Sequence, residues 1–398
     1  MHLTPPHGPT SPEADGFVET PDTQRDPSDA PVEGLTSAGE RAPIIATLLD
    51  GMRARKRASL ARAISHVENE RPGFQELLDH LLRESPGRAA RVGITGPPGA
   101  GKSSLVTEFA RLCRRGGEEV GVVAVDPTSP YSGGALLGDR IRMNELATDP
   151  GIFIRSMASR GSLGGLATTT KEVIDLMDTY GFPRILIETV GVGQTELEIT
   201  GAADTVVVVL VPESGDGIQA MKAGLMEIAD VFVVNKADRP GADRLVREIR
   251  SSLKFRSGAV PGAPGGHHGA VVTPPGHHGP AALAPGDRES ASPADETERW
   301  VPPVLLTTAQ TGEGVEELIE IVGRHREWME RSGELLRRRR ERVLSRVRDV
   351  MDREAKRRVR RVLASEESVL DLIGRIERQE STPYSEAALL LRDMHFDG

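Results

Sequence analysis

The chain has 398 residues, with 50 Lys and Arg against 59 Asp and Glu, a net charge of −9. That balance argues against a general nucleic-acid binder, and 3% aromatic residues argue against a base-stacking platform. The single cysteine, Cys113, excludes an intrachain disulfide and a Cys-rich metal site, and points to a reducing, cytoplasmic setting. The longest apolar runs, such as 206–211, are too short to span a membrane. Residues 1–40, with eight acids and one base (Arg25), read as neither a secretory signal nor a transit peptide.

Residues 1–42 are rich in Pro, Gly, Asp, Glu, Ser and Thr and read as a disordered acidic tail. Residues 43–90 read as a helical extension. Ile44, Ile45, Leu48 and Leu49 open its apolar stripe, and Leu60, Ile64 and Val67 continue it. A second stripe, Phe74, Leu77, Leu78, Leu81 and Leu82, follows Arg71-Pro72-Gly73. Between residues 91 and 330, β-branched runs alternate with amphipathic stretches. The runs at 92–95, 120–125, 152–155, 185–189, 205–211, 231–235 and 304–307 predict an α/β domain. Its central sheet is mostly parallel and flanked by helices. Residues 257–298 break the rhythm with Gly, Pro, Ala and His, including a partial repeat, Pro264-Gly265-Gly266-His267-His268-Gly269 against Pro275-Gly276-His277-His278-Gly279. They read as a low-complexity insertion whose paired histidines are incidental. Residues 331–398 read as helical. Residues 331–361 hold fourteen bases and five acids around an apolar stripe of Leu335, Leu336, Val343, Leu344, Val347, Val350 and Met351. This pattern predicts a long solvated arm packing on another subunit, in preference to RNA or membrane binding.

The strongest chemical signal is Gly96-Pro97-Pro98-Gly99-Ala100-Gly101-Lys102-Ser103, between the strand 92–95 and a helical stripe from Leu105 to Leu112. This is the phosphate-binding P-loop in its required context. Its glycines admit backbone N–H groups to the phosphates, and the helix N-terminus adds positive potential. Lys102 places its charge on the β- and γ-phosphates, Ser103 offers a hydroxyl to Mg2+, and Ser104 can donate to the α-phosphate. Asn235-Lys236-Ala237-Asp238, at the end of the strand 231–235, is the N-K-x-D guanine motif. Asp238 can accept from guanine N1 and the exocyclic amine, a donor pair that adenine lacks. Lys236 can lie over the base and Asn235 can brace the loop. Thr308-Ala309-Gln310 would flank the base. Glu188, three residues before Gly191, resembles the acid of D-x-x-G, with the Gly191 N–H as γ-phosphate sensor and Glu188 holding Mg2+. Val192 occupies the place of a water-orienting Gln, and Gln194 has the wrong offset. Asp126 and Asp139 frame a Gly-rich loop suited to Mg2+ and water. Arg155 and Arg160 follow a strand end and could face a partner or the phosphates.

Asp126-Pro127-Thr128-Ser129-Pro130, Gly138-Asp139-Arg140-Ile141-Arg142-Met143, Glu188-Thr189-Val190-Gly191-Val192-Gly193-Gln194 and Asn235-Lys236-Ala237-Asp238 together resemble the MeaB/ArgK family of P-loop GTPases over roughly residues 44–365. The resemblance implies a GTPase chaperone that protects or reactivates an adenosylcobalamin-dependent acyl-CoA mutase, chiefly methylmalonyl-CoA mutase, with GTP, GDP and Mg2+ as ligands. It implies that Asp126, Asp139 and Glu188 surround the magnesium and the attacking water. It implies that Gly215-Asp216-Gly217-Ile218-Gln219-Ala220-Met221-Lys222 is the loop answering the mutase, with Lys222 swinging towards the nucleotide. It also implies that the C-terminal helices form a homodimerisation arm. Two alternatives stand beside this reading. One is a nickel-insertion GTPase with the His pairs as metal store. The other is a transport-associated ATPase or kinase, against which N-K-x-D argues.

Overall fold

The computed structural model of the chain describes residues 38–84, 87–126, 146, 148–158, 168–189, 198–212, 224–256, 299–363 and 366–393. Seven strands form one sheet: β1 (Ala90–Thr95), β2 (Val120–Asp126), β3 (Ile152–Ala158), β4 (Arg184–Thr189), β5 (Thr205–Leu210), β6 (Val231–Asn235) and β7 (Val304–Thr307). Their order is β3-β2-β4-β1-β5-β6-β7, and every neighbouring pair is parallel. All seven carboxyl ends therefore share one edge, where such sheets place ligands. Each expected run is a strand, although β3 continues to Ala158 and β5 stops at Leu210.

Side chains alternate across the sheet. Ile185 and Ile187 of β4 and Val206 and Val208 of β5 enter one core, while Leu186, Val207 and Val209 enter the other. Apolar groups on both faces are what a sheet covered on both sides requires. The first core is closed by α1 (Ala38–Arg53), α2 (Arg57–Glu68), α3 (Phe74–Glu84), α5 (Thr168–Tyr180) and α6 (Ala242–Arg256). The second is closed by α4 (Lys102–Arg115) and α7 (Val315–Ser332). The N-terminal stripes are thus three helices, because the chain turns at Ala54–Lys56 with Arg55 at φ 51°. The first of them starts at Ala38, inside the span read as tail. Cys113 is buried in the second core, which pushes its thiol up to about 12.

Three helices end the described chain: α8 (Glu334–Val362), α9 (Glu366–Glu377) and α10 (Pro383–Asp393). The arginines of α8, expected in solvent, largely engage acids of the same chain. Arg338 grips Asp230 with two bonds of 2.8 Å, and Arg342 reaches Asp204 at 2.7 Å. Arg353 reaches Glu172 at 2.7 Å. Asp204 and Asp230 immediately precede β5 and β6, so α8 lies across the amino-terminal edge of the sheet. Apart from the buried Leu335, its apolar stripe faces outward, with Val343 64% and Met351 65% exposed. No helix among the described residues is long and apolar enough to cross a membrane.

The same edge anchors the insertion. Arg250 near the end of α6 donates to the Val304 carbonyl at 3.4 Å, and the Trp300 indole donates to the Asp230 carbonyl at 2.8 Å. The described flanks of residues 257–298, the end of α6 and the start of β7, therefore lie at the edge opposite the P-loop. Thr308-Ala309-Gln310 follows β7 at the far edge.

Candidate nucleotide site

The site is built where β1 ends. Gly96 turns there at φ 140°, and a Cβ would lie 2.0 Å from the Val209 carbonyl oxygen, so only glycine lets the chain leave the sheet this close to β5. Gly101 turns at φ 84°, and α4 begins at Lys102. The Lys102 ammonium is buried and donates to the carbonyls of Gly96 at 2.9 Å and Pro97 at 3.1 Å. Those carbonyls hold the lysine over the loop, at the head of α4. Pro98, Gly99 and Ser104 are exposed on the same rim.

Beneath the loop the Ser103 hydroxyl donates to Glu188 Oε1 at 2.7 Å, and both side chains are buried. The two residues are 85 apart in the chain. Parallel pairing of β1 with β4, in which Ile94 opposes Glu188, brings them together. A hydroxyl and a carboxylate meeting beside a phosphate loop are hard oxygen donors, the chemistry that suits Mg2+. The fit rests on this pair alone. Asp126 closes β2 at the same edge, two strands from β1. Its side chain lies outside the described residues, as do Asp139, Gly191, Gln194, Arg160 and Lys222.

The base side is held by Asn235. Its amide donates to the Ala100 carbonyl of the P-loop at 2.8 Å, while its Oδ1 accepts from the Thr307 hydroxyl and the Ala309 N–H, each at 3.1 Å. One buried side chain therefore ties the phosphate loop to the loop after β7. A Cβ on Gly101 would stand 2.4 Å from that amide, which explains glycine there. Lys236 adopts φ 57°, and Ala237 N–H donates to the Thr307 carbonyl at 3.0 Å, turning the chain so that Asp238 stands exposed. Thr308 and Ala309 are buried and Gln310 is exposed. The loop is closed by Thr308 N–H donating to the Glu313 carbonyl at 3.0 Å.

Some placements differ from the sequence reading. Arg155 sits on edge strand β3 and pairs with Glu68 of α2, so it braces the N-terminal helices rather than facing phosphate. Two residues to which the motifs gave no role join the centre. Thr189 donates to Thr95 through their hydroxyls at 2.8 Å, and both are fully buried. The available signal was a hydroxyl at the carboxyl tip of each of two buried strands.

A parallel sheet with a P-loop after β1 and N-K-x-D after β6 defines a P-loop nucleotide hydrolase of the guanine-binding kind. The family described as methylmalonyl-CoA mutase-associated GTPase MeaB matches residues 60–364. The chain belongs to this family, and it is a GTPase that binds guanine nucleotide. A candidate GTPase of Pyrococcus abyssi is 41% identical over 88% of this chain and 97% of its own length. The mouse protein named methylmalonic aciduria type A homolog, mitochondrial, is 35% identical over 81% of this chain and 72% of its own. Among solved structures, one titled LAO/AO transport system kinase matches with a TM-score of 0.57 at 24% identity, covering 91% of this chain and 99% of that one, a likeness of fold.

Proposed function

We propose that the chain is a Mg2+-dependent GTPase chaperone that binds an adenosylcobalamin-dependent acyl-CoA mutase and gates loading, protection or reactivation of its cofactor. The family's name supports the mutase as partner, and methylmalonyl-CoA mutase is the first candidate. The observation that carries the hydrolytic half is the Ser103–Glu188 bond of 2.7 Å beneath the P-loop.

In this reading Ser103 and Glu188 hold the metal, with Asp126 and Asp139 completing the acidic set. Bound Mg2+ would neutralise charge on the phosphates. Lys102 exchanges the Gly96 and Pro97 carbonyls for phosphate oxygens, so its charge is already desolvated and aimed. The Pro97-to-Ser104 backbone cradles the phosphates, and the Gly191 N–H senses the γ-phosphate. Asp238 and Lys236 take the guanine, and Asn235 keeps their loop in register with the P-loop, supported by Thr308, Ala309 and Gln310. Lys222 is the residue through which the mutase acts on the nucleotide. Loops ordered by the γ-phosphate then carry the nucleotide state to the mutase.

The reading also includes a homodimer through the C-terminal helices, working in the cytoplasm. What supports it is the orientation of α8, whose Arg338, Arg342 and Arg353 face the body while Leu336, Val343, Leu344 and Val347 face solvent. A row of exposed apolar side chains on a long helix is a contact surface.

The test is GTP turnover by the full chain, with and without an adenosylcobalamin-dependent acyl-CoA mutase from the same organism. Stimulation is expected. Turnover that ignores the mutase over a wide concentration range removes the partner and leaves the GTPase. Preference for ATP would remove the guanine assignment.

A further inference from the structure

Thr95 and Thr189 end β1 and β4, one step beyond the paired residues Ile94 and Glu188. They are fully buried, 94 residues apart in the chain, and joined by one hydroxyl bond of 2.8 Å. A hydroxyl taken out of water needs a partner. Valine fills nearly the same volume, suits a strand at least as well, and needs none. Packing alone therefore does not call for two hydroxyls at these strand tips.

What the pair joins is specific. Thr95 leads directly into Gly96 and Pro97, whose carbonyls hold Lys102. Thr189 directly follows Glu188, which takes the Ser103 hydroxyl. Lys102 and Ser103 are neighbours, so three contacts close a ring around the root of the P-loop: Lys102 to Gly96, Thr189 to Thr95, and Ser103 to Glu188. Along the chain, Val190 and Gly191 come next after Thr189.

We propose that Thr189 is a positioning residue for GTP hydrolysis. Its hydroxyl, held on Thr95, fixes the tip of β4 against the P-loop. Glu188 then meets the γ-phosphate end of GTP in one geometry, while the parts that bind GDP are untouched. The inference rests on the family's GTPase activity and on the reading of Glu188 above, and not on the mutase.

Thr189→Val removes the hydroxyl and keeps the shape. Expected is a fall in kcat of about tenfold, with affinity for a fluorescent GDP analogue changed less than about twofold and Tm within about 2 °C. Thr189→Ser, which keeps a hydroxyl, should retain at least about half of the wild-type kcat. Thr95→Val should reproduce the loss, and the double variant should be no worse than either single one, since both remove the same bond. An unchanged kcat in Thr189→Val overturns the proposal. So does a loss shared by Thr189→Ser, or one that follows a drop in Tm or in GDP affinity. Glu188→Gln assayed alongside separates the two readings. Full turnover in Glu188→Gln removes the Glu188 reading and this inference with it. An inactive Glu188→Gln beside a silent Thr189→Val removes this inference alone.

Discussion

The two edges of the sheet use polar groups in opposite ways. At the carboxyl edge, Lys102 rests on loop carbonyls and Ser103 on Glu188, contacts suited to exchange for a ligand. At the amino edge, Asp204 and Asp230 are buried and closed by Arg338, Arg339 and Arg342, whose planar guanidiniums match carboxylates in fixed geometry. Beside them His325 is fully buried, with Nδ1 2.8 Å from the Thr205 hydroxyl and its ring clustered with those of Trp300 and Trp328. One edge is set up to trade partners and the other to keep them. Substitutions at the first should therefore cost turnover, and at the second stability.

The largest separation is expected from Lys102→Ala. Its turnover should fall by about a thousandfold, with Tm little changed, as a radiolabelled GTP assay beside calorimetry would read. Asp204→Ala should do the reverse. It leaves Arg339 and Arg342 without their buried acid, so a loss of about 3–5 kcal/mol in urea unfolding is expected, with kcat within about twofold. Lost turnover without lost stability in that variant would break the comparison.

The amino edge should also set the acid limit. Burial holds His325 down at about 4, and the guanidiniums of Arg342 and Arg339 outweigh burial to hold Asp204 at about 2. Between pH 6.5 and 4 the unfolded chain binds a proton at His325 that the folded chain refuses, so stability falls as pH falls, by about 3 kcal/mol in total. From about 3.8 down to 2, Asp204 adds a second loss, because its folded carboxylate stays charged after the unfolded one is protonated. Stability of His325→Gln against pH should lose the upper slope and keep the lower one. Asn235→Ala removes one bond to the P-loop and two from the β7 loop. It should weaken GTP and GDP alike by about tenfold in a fluorescent-nucleotide titration. The smallest effect on stability belongs to the outer face of α8. Val343→Glu should shift unfolding of the single chain by less than about 0.5 kcal/mol, and if the proposed homodimer forms through this face, light scattering should show the mass of one chain for the variant and of two for the wild type.

Much of the site was legible in the sequence because its pieces are local. The P-loop needs only a strand, a glycine turn and a helix in succession, and residues 92–112 supply all three. N-K-x-D is equally local at the end of β6. The polarity of α8 was not legible. Fourteen bases on a helical stripe read as a solvated surface, since nothing in residues 331–361 records that Asp204, Asp230 and Glu172 wait at the base of the sheet.

By itself, the sequence determined the seven strands and the nucleotide class. Each of these follows from apolar periodicity and from backbone conformations that a few neighbouring residues impose. Tertiary structure alone decided which distant groups touch. Asn235 meets Ala100 across 135 residues, Glu188 meets Ser103 across 85, and Thr189 meets Thr95 across 94. The physical reason is parallel pairing. It brings the ends of strands remote in the chain to within hydrogen-bond distance, and a carboxylate, amide or hydroxyl placed there gains its partner only once the sheet has formed.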